Sequence, residues 1–167
     1  MAEDVLEVWV DAYSTRHTIR YSVLYSIRQN KFIKGRVDGH GEARIGYRVL
    51  EGEYLLWSVS GFTDNRGCRF EITRVKVEKQ EFPLSGIIKG KLTTLETICS
   101  YETTVDELQQ FADDPTAPES FKLFIDSLPH GKFGIGKVPD PTKTFDVNEA
   151  EKVCRFIGKK IRESAEF

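Results

Sequence analysis

Apolar and polar residues alternate along much of the first hundred positions, as they do in strands that bury one face. The alternation is strictest between Ile19 and Arg28, where only Leu24 breaks it. A period of two over this length predicts an antiparallel strand with one buried and one exposed side. Runs rich in β-branched and aromatic residues predict strands over residues 5–10, 19–27, 32–37, 70–77 and 87–95.

Residues 42–60 are compatible with two structures. As a hairpin, the apolar positions alternate up to a tight turn at Glu51 and Gly52, and a second strand returns after it. Within a helix, Gly46 and Gly52 would each cost about 1 kcal/mol relative to alanine, which favours the hairpin. A helix would nevertheless align one apolar face, made of Ala43, Tyr47, Leu50, Tyr54 and Trp57.

The apolar phase changes inside the strand predicted at 70–77. Phe70 and Ile72 share one parity, whereas Val75 and Val77 share the other. Such a change indicates a β-bulge near Thr73 and Arg74.

After about residue 99 the sequence is typical of helices. Capping-box patterns begin at Thr104, Thr116 and Asp146, each with a glutamate three residues later. The last of them precedes an amphipathic stretch with cations near its end. We therefore predict a single α+β domain, in which an antiparallel sheet of about five to seven strands (residues 1–99) packs against helices (residues 100–167).

Charge is distributed unevenly along this chain of 167 residues, whose net charge is −2. Residues 101–167 carry a net charge of −4, with acidic residues prominent in 102–126, whereas residues 16–48 carry +6. A basic segment of this kind predicts a surface for phosphates or an acidic partner, although it could also be the solvated side of two strands. Its cations are Arg16, Arg20, Arg28, Lys31, Lys34, Arg36, Arg44 and Arg48.

The cysteines and the hydropathy pattern bear on location. Cys68, Cys99 and Cys154 are far apart and odd in number, which predicts reduced, mostly buried thiols in a cytoplasmic protein. No apolar run approaches the roughly 20 residues needed to span a membrane. The acidic N-terminus lacks the pattern of a signal peptide, so we expect no membrane association.

One stretch has more specific content: an apolar strand ends in Asp11, within Trp9-Val-Asp-Ala-Tyr-Ser14, and two antiparallel strands follow. In this order of elements the chain resembles the ribonuclease H-like superfamily. The resemblance implies a mixed sheet and a site for Mg²⁺ or Mn²⁺, with clustered carboxylates bridging two metals. Its ligands would be Asp11, Glu53 (if residues 42–58 are helical) and Glu151. Arg74 stands where the family's second catalytic aspartate is expected, which implies a degenerate nucleic-acid-binding relative or a weak nuclease.

Two functions follow from the sequence. The first is a non-enzymatic module without cofactors, which binds a protein partner through charged surfaces as an inhibitor or immunity protein does. The alternative is a ribonuclease H-like protein that binds RNA or single-stranded DNA, with aromatic rings among the basic residues to stack on bases. The conformation of residues 42–58 discriminates between them, because only a helix there would bring Glu53 to Asp11.

Overall fold

The computed structural model describes residues 3–63, 66–80 and 86–165. Its helices are α1 (Val105–Ala112), α2 (Glu119–Asp126) and α3 (Glu149–Ala165). Its strands are β1 (Val5–Ser14), β2 (Thr18–Ser26), β3 (Lys31–Phe32), β4 (Arg36–Asp38), β5 (Arg44–Leu50), β6 (Gly52–Phe62), β7 (Cys68–Lys79) and β8 (Gly90–Thr103). The strands pair in the order β4-β5-β1-β2-β6-β7-β8, and β3 pairs with β2 beside this path.

This architecture confirms the predicted α+β class, in which an antiparallel sheet precedes the helices. The strand predicted at 32–37 is two short strands, because residues 33–35 leave β2 and cross to β5. Strand β1 continues past Asp11, and β8 continues past the predicted boundary at residue 99 to Thr103. None of the helices in the described part of the chain is long and apolar enough to cross a membrane.

Strand β1 belongs to two sheets. Its residues from Val5 to Asp11 pair with β5, and those from Ala12 to Ser14 pair with β2. We call β4, β5 and the first part of β1 the outer sheet, and we call β2, β3, β6, β7 and β8 the central sheet. The outer sheet covers one side of the central sheet, where the Leu24 N–H donates to the Tyr47 hydroxyl at 3.2 Å. The helices cover the other side, which gives three layers.

Where the two layers overlap, β2 is buried on both faces. Val23 and Leu24 are adjacent in β2 and therefore point to opposite faces, yet both are fully buried. The break in alternation at Leu24 thus marks a strand enclosed between layers.

The change of apolar parity along β7 arises because the helices and the outer sheet cover different parts of this strand. Phe70 faces the helices, with its ring centroid 5.8 Å from that of Phe121 in α2. Val77 faces the outer sheet instead, because a Cβ built at Gly90 would contact Val77 and Val8 together. The ladder between β7 and β8 has two register shifts that flank Thr73 and Arg74, so an irregularity lies at the predicted place. The bulge is not in β7, however, because its pairing with β6 is unbroken. The unpaired residues are Leu95 and Ile98 of the edge strand β8.

An aromatic cluster surrounds Phe124 of α2 in the core between the helices and the central sheet. Its ring centroid lies 5.3 Å from Tyr21, 5.5 Å from Trp57 and 5.7 Å from Phe70, in tilted or edge-on arrangements. All four side chains are fully buried. Burying rings of this size stabilises a fold by about 1.5–3 kcal/mol each, so this cluster anchors the helices to the central sheet.

Residues 42–60 form the hairpin of β5 and β6, so the hairpin prediction is confirmed and the helical alternative is wrong. Gly52 follows the turn at φ +150°, a conformation open to glycine but not to other residues. The Tyr54 hydroxyl donates to the Leu50 carbonyl across the turn at 2.6 Å.

Of the three predicted caps, only the first is confirmed. The Thr104 hydroxyl accepts from the Glu107 N–H at 3.1 Å and begins α1. Thr116 instead bonds to Asp114, and α2 begins after Pro118. Glu149 does not cap Asp146, because its buried carboxylate accepts from the Ser120 hydroxyl at 2.6 Å.

The prediction of reduced thiols is wrong for two of the three cysteines. Cys99 of β8 and Cys154 of α3 form a disulfide across a separation of 55 residues, with Cα atoms 5.9 Å apart. Beside it, the Tyr101 hydroxyl donates to the Cys154 carbonyl at 3.0 Å. Only the packing of α3 on β8 brings these residues together, and their spacing in the sequence does not reveal it. Cys68 is free and buried, and burial raises the pKa of its thiol to about 12.

We expect Phe124→Ala to lower the free energy of unfolding by about 3–5 kcal/mol, because it opens a cavity inside the aromatic cluster. Urea denaturation followed by circular dichroism measures this loss. Phe133→Ala is the matched control, since that side chain is 80% exposed and its loss should change the free energy by less than about 0.5 kcal/mol. Equal losses in the two variants would contradict the position given to Phe124.

We expect the double variant Cys99→Ala/Cys154→Ala to lose about 4 kcal/mol of stability, the chain-entropy value for a loop of this length. Cys68→Ala, which keeps the disulfide, should lose only about 1 kcal/mol. Thiol titration in urea without reductant should find one thiol per wild-type chain. Three thiols would show that the disulfide does not form.

Candidate functional site

The carboxylates of the ribonuclease H-like hypothesis do not converge. Asp11 lies inside β1, paired with Arg44. Ala12, the residue after Asp11, pairs with Tyr21 of β2, and Tyr21 pairs in turn with Val59 of β6. Glu53 lies six residues along β6 from Val59, which is about 20 Å in a strand.

Two of these carboxylates have positions that the fold explains without a metal ion. Glu53 accepts from the Arg74 guanidinium at 2.9 Å, and the same guanidinium pairs with Glu96 at 2.8 Å. Arg74 therefore joins three neighbouring strands at the position where the family would have an aspartate. Glu151 is exposed in the first turn of α3, where the helix dipole favours an acid. In residues 3–63, 66–80 and 86–165, no group of three or more potential ligands is placed to hold a metal ion.

Among the described residues, the predicted basic residues have no ion-pair partner, a condition that they share with other cations such as Lys76, Lys89 and Lys122. Within the described ranges, no carboxylate oxygen lies within 4.0 Å of any of the eight. Arg69, Arg74 and Lys160, in contrast, are all paired. Seven of the eight are exposed, and Lys31 is half-buried.

Three of these cations surround a tryptophan on the outer sheet. Arg44 and Arg48 alternate with Gly46 along the solvent side of β5, and β1 places Trp9 directly opposite Gly46. A Cβ at Gly46 would lie 2.8 Å from the Trp9 ring, so the glycine is what allows the indole to lie on the β5 backbone. Arg36 of β4 is paired with Gly46 from the other side.

The indole is held in this position by polar contacts. The Trp9 Nε1–H donates to a Glu7 carboxylate oxygen at 2.8 Å. The Arg44 and Arg36 guanidinium carbons lie 4.6 and 5.6 Å from the ring centroid, within the range of cation–π attraction. A π face attracts a cation without neutralising it, so both charges stay available to an anion.

Two surface grooves adjoin this ring, and both include Glu7 and Trp9. The first has a volume of about 450 Å³ and the second about 480 Å³. Each contains cations: Lys34, Arg36 and Arg48 line the first, and Arg44 and Lys89 line the second. We call these five cations together with Trp9 the basic face.

The other predicted cations lie apart from the basic face. Arg28 lines a separate groove of about 360 Å³, which it shares with Arg48. Lys31 lies in β3, and Arg16 lies in the turn after β1. Arg20 is opposite Tyr13 near that turn. Partial burial and the Glu42 and Asp11 carboxylates raise the pKa of Tyr13. The basic segment of the sequence is thus divided over several surfaces.

The aromatic residues expected to stack on bases are mostly unavailable. Tyr21, Tyr25, Phe32 and Tyr47 are buried. The half-buried ring that borders the grooves is Trp9, which the sequence presented only as part of an apolar strand. Gly46 was the available signal, because a glycine inside an alternating strand often marks a close approach.

No family model matches the sequence, and no curated protein matches it either. The structure of ORF157 from Acidianus filamentous virus 1 has a TM-score of 0.76 at 22% identity, and the match covers 94% of this chain and 99% of that one. Two variants of the same viral protein each give 0.75. An engineered protein, Northeast Structural Genomics Consortium Target OR43, gives 0.74 at 20% identity, over 95% of this chain and 99% of that one. These likenesses establish a shared fold over nearly the whole chain.

We expect the ratio of iodide quenching to caesium quenching to be higher for Trp9 than for free N-acetyltryptophanamide, because the cations around the ring attract the anion. The two ratios should nearly coincide at about 1 M salt, where the Debye length is about 3 Å. Trp57 is fully buried and should not respond, so Trp9→Phe should remove the quenching by both ions. A ratio for Trp9 equal to or below that of the free compound at low salt would contradict a positive potential at the ring.

Proposed function

We propose that this chain is a non-enzymatic binding module, which recognises an acidic protein partner through the basic face. In this proposal it needs no cofactor, and it acts by covering its partner, as an inhibitor or immunity protein does. The observation that carries the proposal is that Arg36, Arg44 and Arg48 surround Trp9 on one side of the outer sheet without carboxylate partners among the described residues.

The composition of the basic face supports a protein partner. Tryptophan and arginine are the residues most enriched where protein interfaces concentrate their binding energy. Exposed apolar side chains continue the face at its end, where Val5 and Leu50 are paired across the two strands and Ile87 lies nearby. Protein interfaces have a similar composition, in which aromatic residues and arginine are enriched and lie beside apolar side chains.

Binding of RNA or single-stranded DNA is the second candidate, because unpaired arginines also neutralise phosphates. A nucleic-acid surface of this kind usually adds several rings on which successive bases stack. Here Tyr21 and Tyr25 are buried, which favours the protein partner. The ribonuclease H-like form of this candidate, with Mg²⁺ or Mn²⁺, would require Asp11 and Glu53 to meet.

A cytoplasmic location remains part of the proposal, with one condition. Disulfides persist in oxidising compartments and in the cytosol of hyperthermophiles, but they are rare in a strongly reducing cytosol. The bond between Cys99 and Cys154 therefore restricts a cytoplasmic location to a cell that does not reduce it.

We expect Arg36→Glu/Arg44→Glu/Arg48→Glu to weaken partner binding roughly a hundredfold, at about 1 kcal/mol for each exposed charge contact. The partner is first captured from the native host by crosslinking, in lysate treated with nuclease. Affinity of the purified partner is then measured by calorimetry at two salt concentrations, and wild-type binding should weaken as salt increases.

The control variant Lys76→Glu/Lys91→Glu/Lys132→Glu changes the net charge equally at exposed positions outside the basic face. It should bind as the wild type does. An equal loss in the two triple variants would reduce the effect to net charge and reject the basic face. Binding that depends on RNA in the lysate would select the second candidate instead.

A further inference from the structure

We propose that the basic face binds an extended acidic segment of the partner, which lies over Trp9 along β5 with carboxylates in both grooves. This inference rests on the proposed function and specifies the ligand of the same site. The segment carries acids four positions apart, with a small or apolar residue midway between them.

The spacing of the cations sets the spacing of the acids. Arg44 and Arg48 point to the same side of β5 and are four residues apart, which corresponds to about 13 Å in a strand. A ligand in the same extended conformation advances by the same distance per residue. Its side chains at positions i and i+4 therefore reach Arg44 and Arg48 together, and position i+2 lies above the indole and the guanidinium groups stacked on it.

The charges of the two grooves favour carboxylates at both ends of such a segment. The Arg48 end also has Lys34 and Arg36, and the Arg44 end also has Lys89. The acids opposite these arginines are Glu7 and Asp11. Glu7 already accepts the Trp9 Nε1–H, and neither carboxylate lies within 4.0 Å of a guanidinium. Arginine offers a planar pair of donors that matches a carboxylate from the ligand.

The flat surface on which the segment would lie depends on Gly46. With glycine at this position the indole and the guanidinium groups above it lie close to the β5 backbone, so a ligand can pass from one groove to the other across them. Any Cβ would displace the indole, since three of its carbon atoms lie 2.8–2.9 Å from the place the Cβ would occupy. Gly46 has no positive φ, so alanine changes the height of the ring without straining the backbone. A single methyl group therefore tests the shape of the site at constant charge.

The test uses the blocked peptide Thr-Glu-Thr-Val-Thr-Glu-Thr, with its isomer Thr-Glu-Thr-Val-Glu-Thr-Thr as the matched control. Binding to the wild-type chain is followed at low salt by Trp9 fluorescence, because the other tryptophan is fully buried. We expect the first peptide to bind roughly tenfold more tightly than its isomer, whose second acid points away from β5. Gly46→Ala should weaken the first peptide by a similar factor and remove the preference, while the control variant Lys76→Glu binds as the wild type does.

The outcomes separate this inference from the proposed function. Equal affinity for the two peptides, or wild-type affinity in Gly46→Ala, overturns the extended segment over Trp9. If the peptide test fails but Arg36→Glu/Arg44→Glu/Arg48→Glu still weakens binding of the purified partner, the proposed function stands and only the extended segment is rejected. Displacement of the first peptide by a single-stranded RNA of equal charge, but not by a polyglutamate of equal charge, also overturns the inference and assigns the grooves to phosphates.

Discussion

The arrangement of the whole molecule depends on covering each side of the central sheet with a different layer. At one end its aromatic residues pack around Phe124 of α2, and at the other its aliphatic residues meet the outer sheet. A strand that serves both layers must change the side it buries, so β7 changes phase near Thr73. Strand β1 also serves both layers, because its pairing changes from β5 to β2 at Ala12. The solvent side of the outer sheet is then left exposed.

Local patterns in the sequence predict much of this fold because each element buries apolar residues with its own period. The cost of Gly46 and Gly52 in a helix decides the hairpin at 42–60. The parity change in 70–77 marks the place where β7 stops burying one side and begins to bury the other. The pairing of Cys99 with Cys154 depends on the packing of α3 on β8, which joins residues far apart in the chain, so no local pattern contains it. The cap at Thr116 fails for a local reason, because its hydroxyl donates to Asp114.

The site was partly predictable. Charge counting identifies the basic segment, and its cations do lack partners among the described residues, but counting cannot show which of them share a surface. The sheet register determines that, since it places Arg44, Trp9 and Arg48 around Gly46. Reading Asp11 as the end of a strand failed because the strand continues into its second sheet. A residue that looks catalytic from its position in a local motif can be an ordinary cross-strand neighbour of an arginine.

The two extra residues in β8 have a consequence for how copies of this chain behave together. A long, regular edge strand offers an unbroken row of N–H and C=O groups that another chain can extend into a fibril. Leu95 and Ile98 interrupt the ladder on β8, and such bulges twist an edge away from a flat template. At the opposite edge, β4 has only three residues. We therefore expect the molecule to offer little to edge-to-edge polymerisation at high concentration.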